Sequence, residues 1–338
     1  LRVRERVESG KLFELGTIHR STGAIHTVKS LEADIPKGRL TAVTGVSGSG
    51  KTTLILESLI PGLTAAIGKT KLPDHVCAVE AEGIRQVKLI DATPIGINVR
   101  STVTTYANVH DELRKIFART PDAKQLGFKV GDFSYNTGKL RCPVCDGTGV
   151  IDLDVQFLPD VTIPCPECRG SRYGKDAGRV RHGAHTLPEL MSMDVNTALE
   201  VCRDMKLVRQ RLQALQDLGL GYLTLGEETP SLSGSEAQRL KLASEMGRTQ
   251  GDSIFVFDEP TIGLHPLDVR TLLGVFQTLI EHGATVVVIE HDFDVIRNAD
   301  YIIDMGPGGS EAGGRIVAAG TSEEIAGKPE SVTGRFLR

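Results

Sequence analysis

The stretch RLTAVTGVSGSGKTTLILESLI, residues 39–60, decides the fold of this 338-residue chain. Leu40 to Val43 form a short apolar run that suits a buried strand, and from Lys51 the pattern turns helical. Between them, Gly45 to Thr52 fit G-x-x-x-x-G-K-[ST]. In that context the glycines let successive backbone N–H groups point at phosphate oxygens, and the helix N-terminus adds its partial positive charge. Lys51 is expected to reach the β- and γ-phosphates, and the Thr52 hydroxyl to coordinate Mg²⁺. Gly45, Ser47, Gly48, Gly50 and Thr53 complete the group expected around a nucleotide.

A nucleotide fold needs carboxylates at a second strand tip, and SIFVFDEPTIGL, residues 253–264, supplies them. Asp258 suits a water-mediated contact to Mg²⁺, Glu259 suits polarisation of an attacking water, and Pro260 stops the strand. A further strand, ATVVVIEH, places His291 just past its end, within reach of a γ-phosphate at the sheet's C-terminal edge. The segment SLSGSEAQRLKLA, residues 231–243, reads as a helix start capped by Ser233, with Gly234 leaving the backbone open to close approach.

The stretch between the phosphate loop and that helix holds Cys142, Cys145, Cys165 and Cys168. Their pattern is C-x2-C, nineteen residues, C-x2-C. Two such tight turns aim four thiolates at one ion, which is the closed shell of a structural zinc site. The C-P-x-C-x-G knuckles are also similar to the cysteine repeats of DnaJ-type chaperones, although those come as four and only two are present. Cys77 and Cys202 stand alone and read as core or incidental thiols.

Composition adds bounds. Hydrophobic residues make up 40% and charged residues 24%, an ordinary globular mixture. No apolar run of membrane length and no leader pattern is visible, so the cytosol is the default compartment. The chain begins at Leu1 rather than Met, as a piece of a longer protein would. The net charge of −4 excludes a uniformly basic nucleic-acid coat. Locally, residues 100–215 carry 17 Lys/Arg against 14 Asp/Glu, and the excess flanks the cysteines in RKIFARTPDAKQLGFK and RGSRYGKDAGRVRH. A solvated surface and a polyanionic partner fit so small an excess equally well.

Together these elements resemble the ABC ATPases, whose signature is usually Leu-Ser-Gly-Gly. The continuation Glu-Ala-Gln-Arg is similar to the UvrA family of bacterial nucleotide excision repair. Further stretches carry the resemblance: PIG at 94–96, FSYNTGKLRCPVC, FLPDVTIPCPEC, DEPTIGLH, VVVIEHDFDVI and ADYIIDMGPGGSEAGG. They span roughly residues 30–325 and match the second, C-terminal ATPase half of such proteins. The resemblance implies an α/β ABC-type fold with an inserted helical signature subdomain carrying the zinc module. The expected division is 1–98 and 226–338 for the ATP-binding domain and 99–225 for the insert, with the zinc module at about 136–173.

The resemblance further implies a composite site, in which Ser233 and Gly234 serve a nucleotide held by a partner ABC domain, from an N-terminal half or a second copy. Asp268, in GLHPLD, matches the loop that crosses that sandwich. ATP, Mg²⁺ and one structural Zn²⁺ are the implied cofactors, and duplex DNA, preferably damaged, is the implied ligand of the insert. Candidate phosphate contacts are Lys139, Arg141, Arg169 and Arg172. UvrB is expected to bind the other half. Two positions depart from the family. Ala92 stands where a Gln usually senses Mg²⁺ and the lytic water, and Ser235 replaces the second signature glycine. Both point to slow hydrolysis. They also keep open a UvrA-like role in drug resistance or transport, beside that of a zinc-dependent nucleotide-binding scaffold.

Overall fold

A computed structural model describes residues 4–96, 100–153, 161–246 and 250–338. Its strands are β1 (Thr17–Thr22), β2 (Leu31–Pro36), β3 (Leu40–Gly45), β4 (Val76–Glu80), β5 (Gln86–Ile90), β6 (Val150–Leu153), β7 (Val161–Pro164), β8 (Arg181–His182), β9 (His185–Thr186), β10 (Ser253–Asp258), β11 (Thr285–Ile289), β12 (Tyr301–Gly306) and β13 (Arg315–Gly320). The fold is mixed α/β, with an inserted subdomain that carries a buried four-cysteine cluster. Backbone proximity divides the chain into a first unit, residues 1–92 with 247–338, and a second, residues 93–246.

The first unit is built on a six-stranded sheet in the order β13-β12-β3-β11-β10-β5. All neighbours run parallel except β13, which pairs antiparallel at one edge. The apolar runs LTAV, IFVF and TVVVI become β3, β10 and β11, buried along almost their whole length. Parallel strands covered on both faces need this unbroken hydrophobicity. Val43, Ile254, Val256, Val287, Ile289 and Ile303 share a core with Leu54, Ile55 and Leu59 of the segment after the glycine loop. A second, antiparallel sheet, β2-β1-β4, adds Ile18 and Ile35 to that core. Pairing of Asp258 with Ile289 and of Ile289 with Val43 brings the C-terminal tips of β10, β11 and β3 level.

The second unit is mainly helical, with two short hairpins, β6-β7 and β8-β9. Side chains of Thr102, Thr120, Thr186, Asp194 and Ser233 cap its helices by accepting from backbone N–H groups one turn on. The helical pattern NTALEVCRDMKLVRQRLQALQDLGL forms two helices, Val195–Val201 and Lys206–Asp217, separated at 202–205. The signature helix, Gly234–Glu245, packs on helix Lys206–Asp217. It therefore falls in the second unit. The boundary lies between residues 246 and 247, where the sequence suggested 225 and 226. The other expected boundary, between 98 and 99, lies outside the described residues, as do residues 157–160 of the FLPDVTIPCPEC match.

Candidate nucleotide site, metal centre and signature helix

Close packing shapes the glycine loop. Gly45 has φ 132°, and a Cβ there would lie 2.0 Å from the Met305 carbonyl oxygen; Gly50 has φ 97°, with Val28 Cγ2 2.6 Å from the same position. Neither tolerates a side chain. The loop is tied to the segment after β12, where Ser310 N donates to Gly48 O and Gly314 N to Ser49 O, both at 3.0 Å. Lys51 is buried, and its Nζ donates to Gly45 O at 3.1 Å and Val46 O at 3.0 Å. Burial lowers its pKa, opposed by the nearby Glu259, Asp304 and Asp258 carboxylates. Ser47, Gly48 and Thr52 face solvent, while the Thr53 hydroxyl is engaged by Glu57 at 3.1 Å. After Lys51 and Thr52 the helix widens into a π-turn, Thr53–Leu59, before the α-helix Ile60–Gly68. The buried Arg20 donates from Nη1 to Leu54 O at 2.5 Å within that π-turn.

At the tips of β10 and β11 the acidic pair and the histidine meet. Glu259 has φ 45°, and its Oε1 lies 3.5 Å from His291 Nε2. Asp258, at the end of β10, has its pKa raised by burial first and then by the Glu259, Asp91 and Glu290 carboxylates, with Lys51 opposing. Carboxylates gathered against a lysine in this way suit a divalent cation. Glu290 was not singled out from the sequence. It is 2% exposed, and its carboxylate accepts from Thr261 N (2.9 Å), His291 N (2.8 Å) and Asp292 N (3.0 Å). It thereby holds the backbone on both sides of the site, and its place immediately before His291 is the only sequence signal for it. Asp268 lies in the first turn of helix Pro266–Glu281 rather than in a loop. Ala92 is exposed beyond β5.

The signature start is a closed capping box. Ser233 Oγ accepts from Glu236 N at 3.3 Å, while Glu236 Oε2 accepts from both Ser233 N and Ser233 Oγ at 2.7 Å. The exposed Tyr222 donates its hydroxyl to the other oxygen of Glu236. Ser235 Oγ is 3.3 Å from Ser233 Oγ, so the extra side chain joins the cap.

The four knuckle cysteines converge. All are buried and free of disulfides, and their Sγ atoms lie within 4.8 Å of one another, with Cys142–Cys165 at 3.9 Å and Cys145–Cys168 at 3.6 Å. Four thiolates around one zinc at about 2.3 Å stand about 3.8 Å apart, so the donor set fits that ion. Each knuckle turns through left-handed residues, Asp146 and Gly147 in the first and Arg169 and Gly170 in the second. A Cβ at Gly147 would meet Tyr135 O at 1.7 Å. Burial pushes the Cys168 thiol up to about 12; in Cys145 burial is outweighed by hydrogen bonds, led by Gly149 N, that bring it down to about 7.

Of the four candidate phosphate contacts, Lys139 and Arg169 are exposed. Arg141 binds Asp146 (Nε to Oδ1, 2.8 Å) and donates to Asn136 O at 3.2 Å. Arg172 corrects the sequence reading. Its side chain is 2% exposed, paired with Glu228 at 3.1 Å and stacked over Tyr135, so it does not face an external phosphate. Among the described residues, no helix is long and apolar enough to cross a membrane.

A glycine-loop lysine, an acidic strand tip and a post-strand histidine at one sheet edge, with a signature helix in an inserted unit, define an ABC-type ATPase domain. The sequence matches the ATPase domain of the UvrA family within that superfamily. It is 44% identical over 316 residues to UvrABC system protein A of Clostridium perfringens, covering 93% of this chain and 34% of that protein. The same protein of Aquifex aeolicus gives the same identity and coverage. The chain thus spans about a third of the length of the curated relatives it matches. The crystal structure of UvrA2 from Deinococcus radiodurans superposes with a TM-score of 0.87 at 37% identity, covering 99% of this chain and 40% of that one. No family model matches the chain.

Proposed function

We propose that this chain is an ATP-hydrolysing part of a longer UvrA-like protein and couples its nucleotide state to recognition of damaged duplex DNA in nucleotide excision repair. The observation that carries the reading is the meeting of Glu259 and His291 at the sheet edge that also ends in the Lys51 loop. The match to UvrABC system protein A supports the repair assignment. Backbone N–H groups of Gly45 to Gly50 and the Lys51 ammonium bind the phosphates, and Thr52 and Asp258 hold Mg²⁺. Glu259 activates water and His291 reads the γ-phosphate. Ser233 and Gly234 serve a nucleotide on a partner ABC domain, with Asp268 beside the same interface. Ala92 and Ser235 slow turnover. The zinc module supplies folding energy to the insert, and exposed cations around it, including Lys139 and Arg169, contact phosphates.

The test is binding of a fluorescent duplex, with and without one bulky lesion, over a salt series at fixed Mg-ATP. Affinity that falls with salt and tightens at the lesion is the expected outcome. Absence of binding by the zinc-loaded chain overturns the DNA assignment. ATP turnover stimulated by a drug but not by DNA would instead favour a role in resistance or transport.

A further inference from the structure

Within the second unit, an ion pair between the buried Arg172 and the half-buried Glu228 joins the cysteine knuckles to the approach of the signature helix. Arg172 follows Cys168 by four residues, and its carbonyl accepts from Cys142 N at 2.9 Å. Its guanidinium lies over the Tyr135 ring, donates from Nη1 to Gly147 O in the first knuckle at 3.4 Å, and from Nη2 to Glu228 Oε1 at 3.1 Å. Glu228 stands five residues before Ser233 and leads into the 3-10 turn Thr229–Ser231. A second connection runs in parallel. Arg100 grips Asp146 through its backbone carbonyl (2.8 Å) and its carboxylate (3.0 Å), and the adjoining Ser101 O accepts from Thr229 N at 2.9 Å. Thr102 also forms a bridge with Glu228. The knuckles therefore reach residues 228 and 229 from both sides.

We propose that Arg172 and Glu228 are positioning residues, which fix the place of Ser233 from the zinc module. An ion pair with its arginine buried is seldom needed for stability alone, since well-packed apolar residues serve as well. The rigid fork of an arginine, however, can address two separate segments at once, here the Gly147 turn and the Glu228 carboxylate. The functional consequence rests on reading Ser233 as a nucleotide contact; the positioning itself does not.

Hydrogen exchange on the zinc-loaded chain tests it, comparing wild type with Glu228→Gln and following peptides 228–240 and 138–174. The expected result is exchange faster by about tenfold in 228–240, with zinc content and knuckle protection unchanged. ATP turnover should lose kcat with KM unaltered. Unchanged exchange in 228–240 overturns the proposal, and so does an equal rise across both peptides, which marks a general folding role. Should Glu228→Gln lose its zinc, Arg172→Lys replaces it; the lysine keeps the charge but has one nitrogen where the guanidinium fork has two reaching separate acceptors, and the same two outcomes decide. Undiminished turnover in Ser233→Ala would refute the composite ATP site while leaving the exchange result to stand by itself.

Discussion

His110 is buried against Tyr135 and Tyr173 and carries no charge in the fold. Tyr173 donates its hydroxyl to Phe133 O at 2.7 Å, so His110 Nε2, 2.7 Å from that hydroxyl, must be the donor to it. Burial pulls its pKa down to about 3, helped by Arg114 and Arg172. The unfolded chain binds a proton near pH 6.5 where the folded chain does not, so stability falls as pH drops below that value. Between pH 7.5 and 5.5 the wild type should lose about 1.4 kcal/mol more than His110→Gln, measured by urea unfolding of the zinc-loaded protein. Equal losses would remove this account of His110. Neither His110 nor Arg172 announces its burial in sequence, because both are polar types that usually sit in solvent. Only the tertiary placement of Tyr135 and Tyr173 around them makes them interior groups. The same blindness hid Glu290, whose three backbone donors come from two loops that meet only in the fold.

Elements were more legible than single polar residues. The glycine loop, the unbroken apolar strands β3, β10 and β11 and the Ser233 cap all rest on local rules, and each lies where those rules place it. The separation of Val195–Val201 from Lys206–Asp217 was not legible, since the apolar period runs through Cys202 and Met205, both buried. The place of the signature helix in the second unit was not legible for a related reason: its packing against Lys206–Asp217 is a tertiary fact. Glycine geometry gives the sharpest expectation at this scale. In Gly50→Ala the new methyl meets Val28 Cγ2 in a backbone conformation that L residues rarely adopt. ATP binding should weaken by at least about tenfold, roughly 1.4 kcal/mol, while zinc content stays at the wild-type level. Unaltered ATP affinity would mean that this loop is not the phosphate cradle.

For the whole molecule, each unit has its own core, and the chain passes between them at residues 92–93 and 246–247. The hydrophobic pattern of the first unit suffices for a covered sheet, whereas the β6-β7 hairpin and its knuckles pack mainly on the four cysteines and Ile151. A cluster of that size gains most of its stability from the metal itself, for which apparent binding energies run to about 10–16 kcal/mol in small zinc modules. The chain has no Trp, and four of its five tyrosines, Tyr106, Tyr135, Tyr173 and Tyr222, belong to the second unit. Tyrosine near-UV circular dichroism is therefore a selective probe. Stripping the metal with a chelator should collapse that signal, because Tyr135 lies under the Arg172 guanidinium, and Tyr173 packs against Tyr135 and bridges Arg141, the residue before Cys142. Binding of a fluorescent ATP analogue, which depends on Lys51 in the first unit, should persist under the same treatment. A tyrosine signal that survives complete zinc removal would show that the cysteine cluster does not hold the insert together. Loss of both signals together would show that the two units unfold as one.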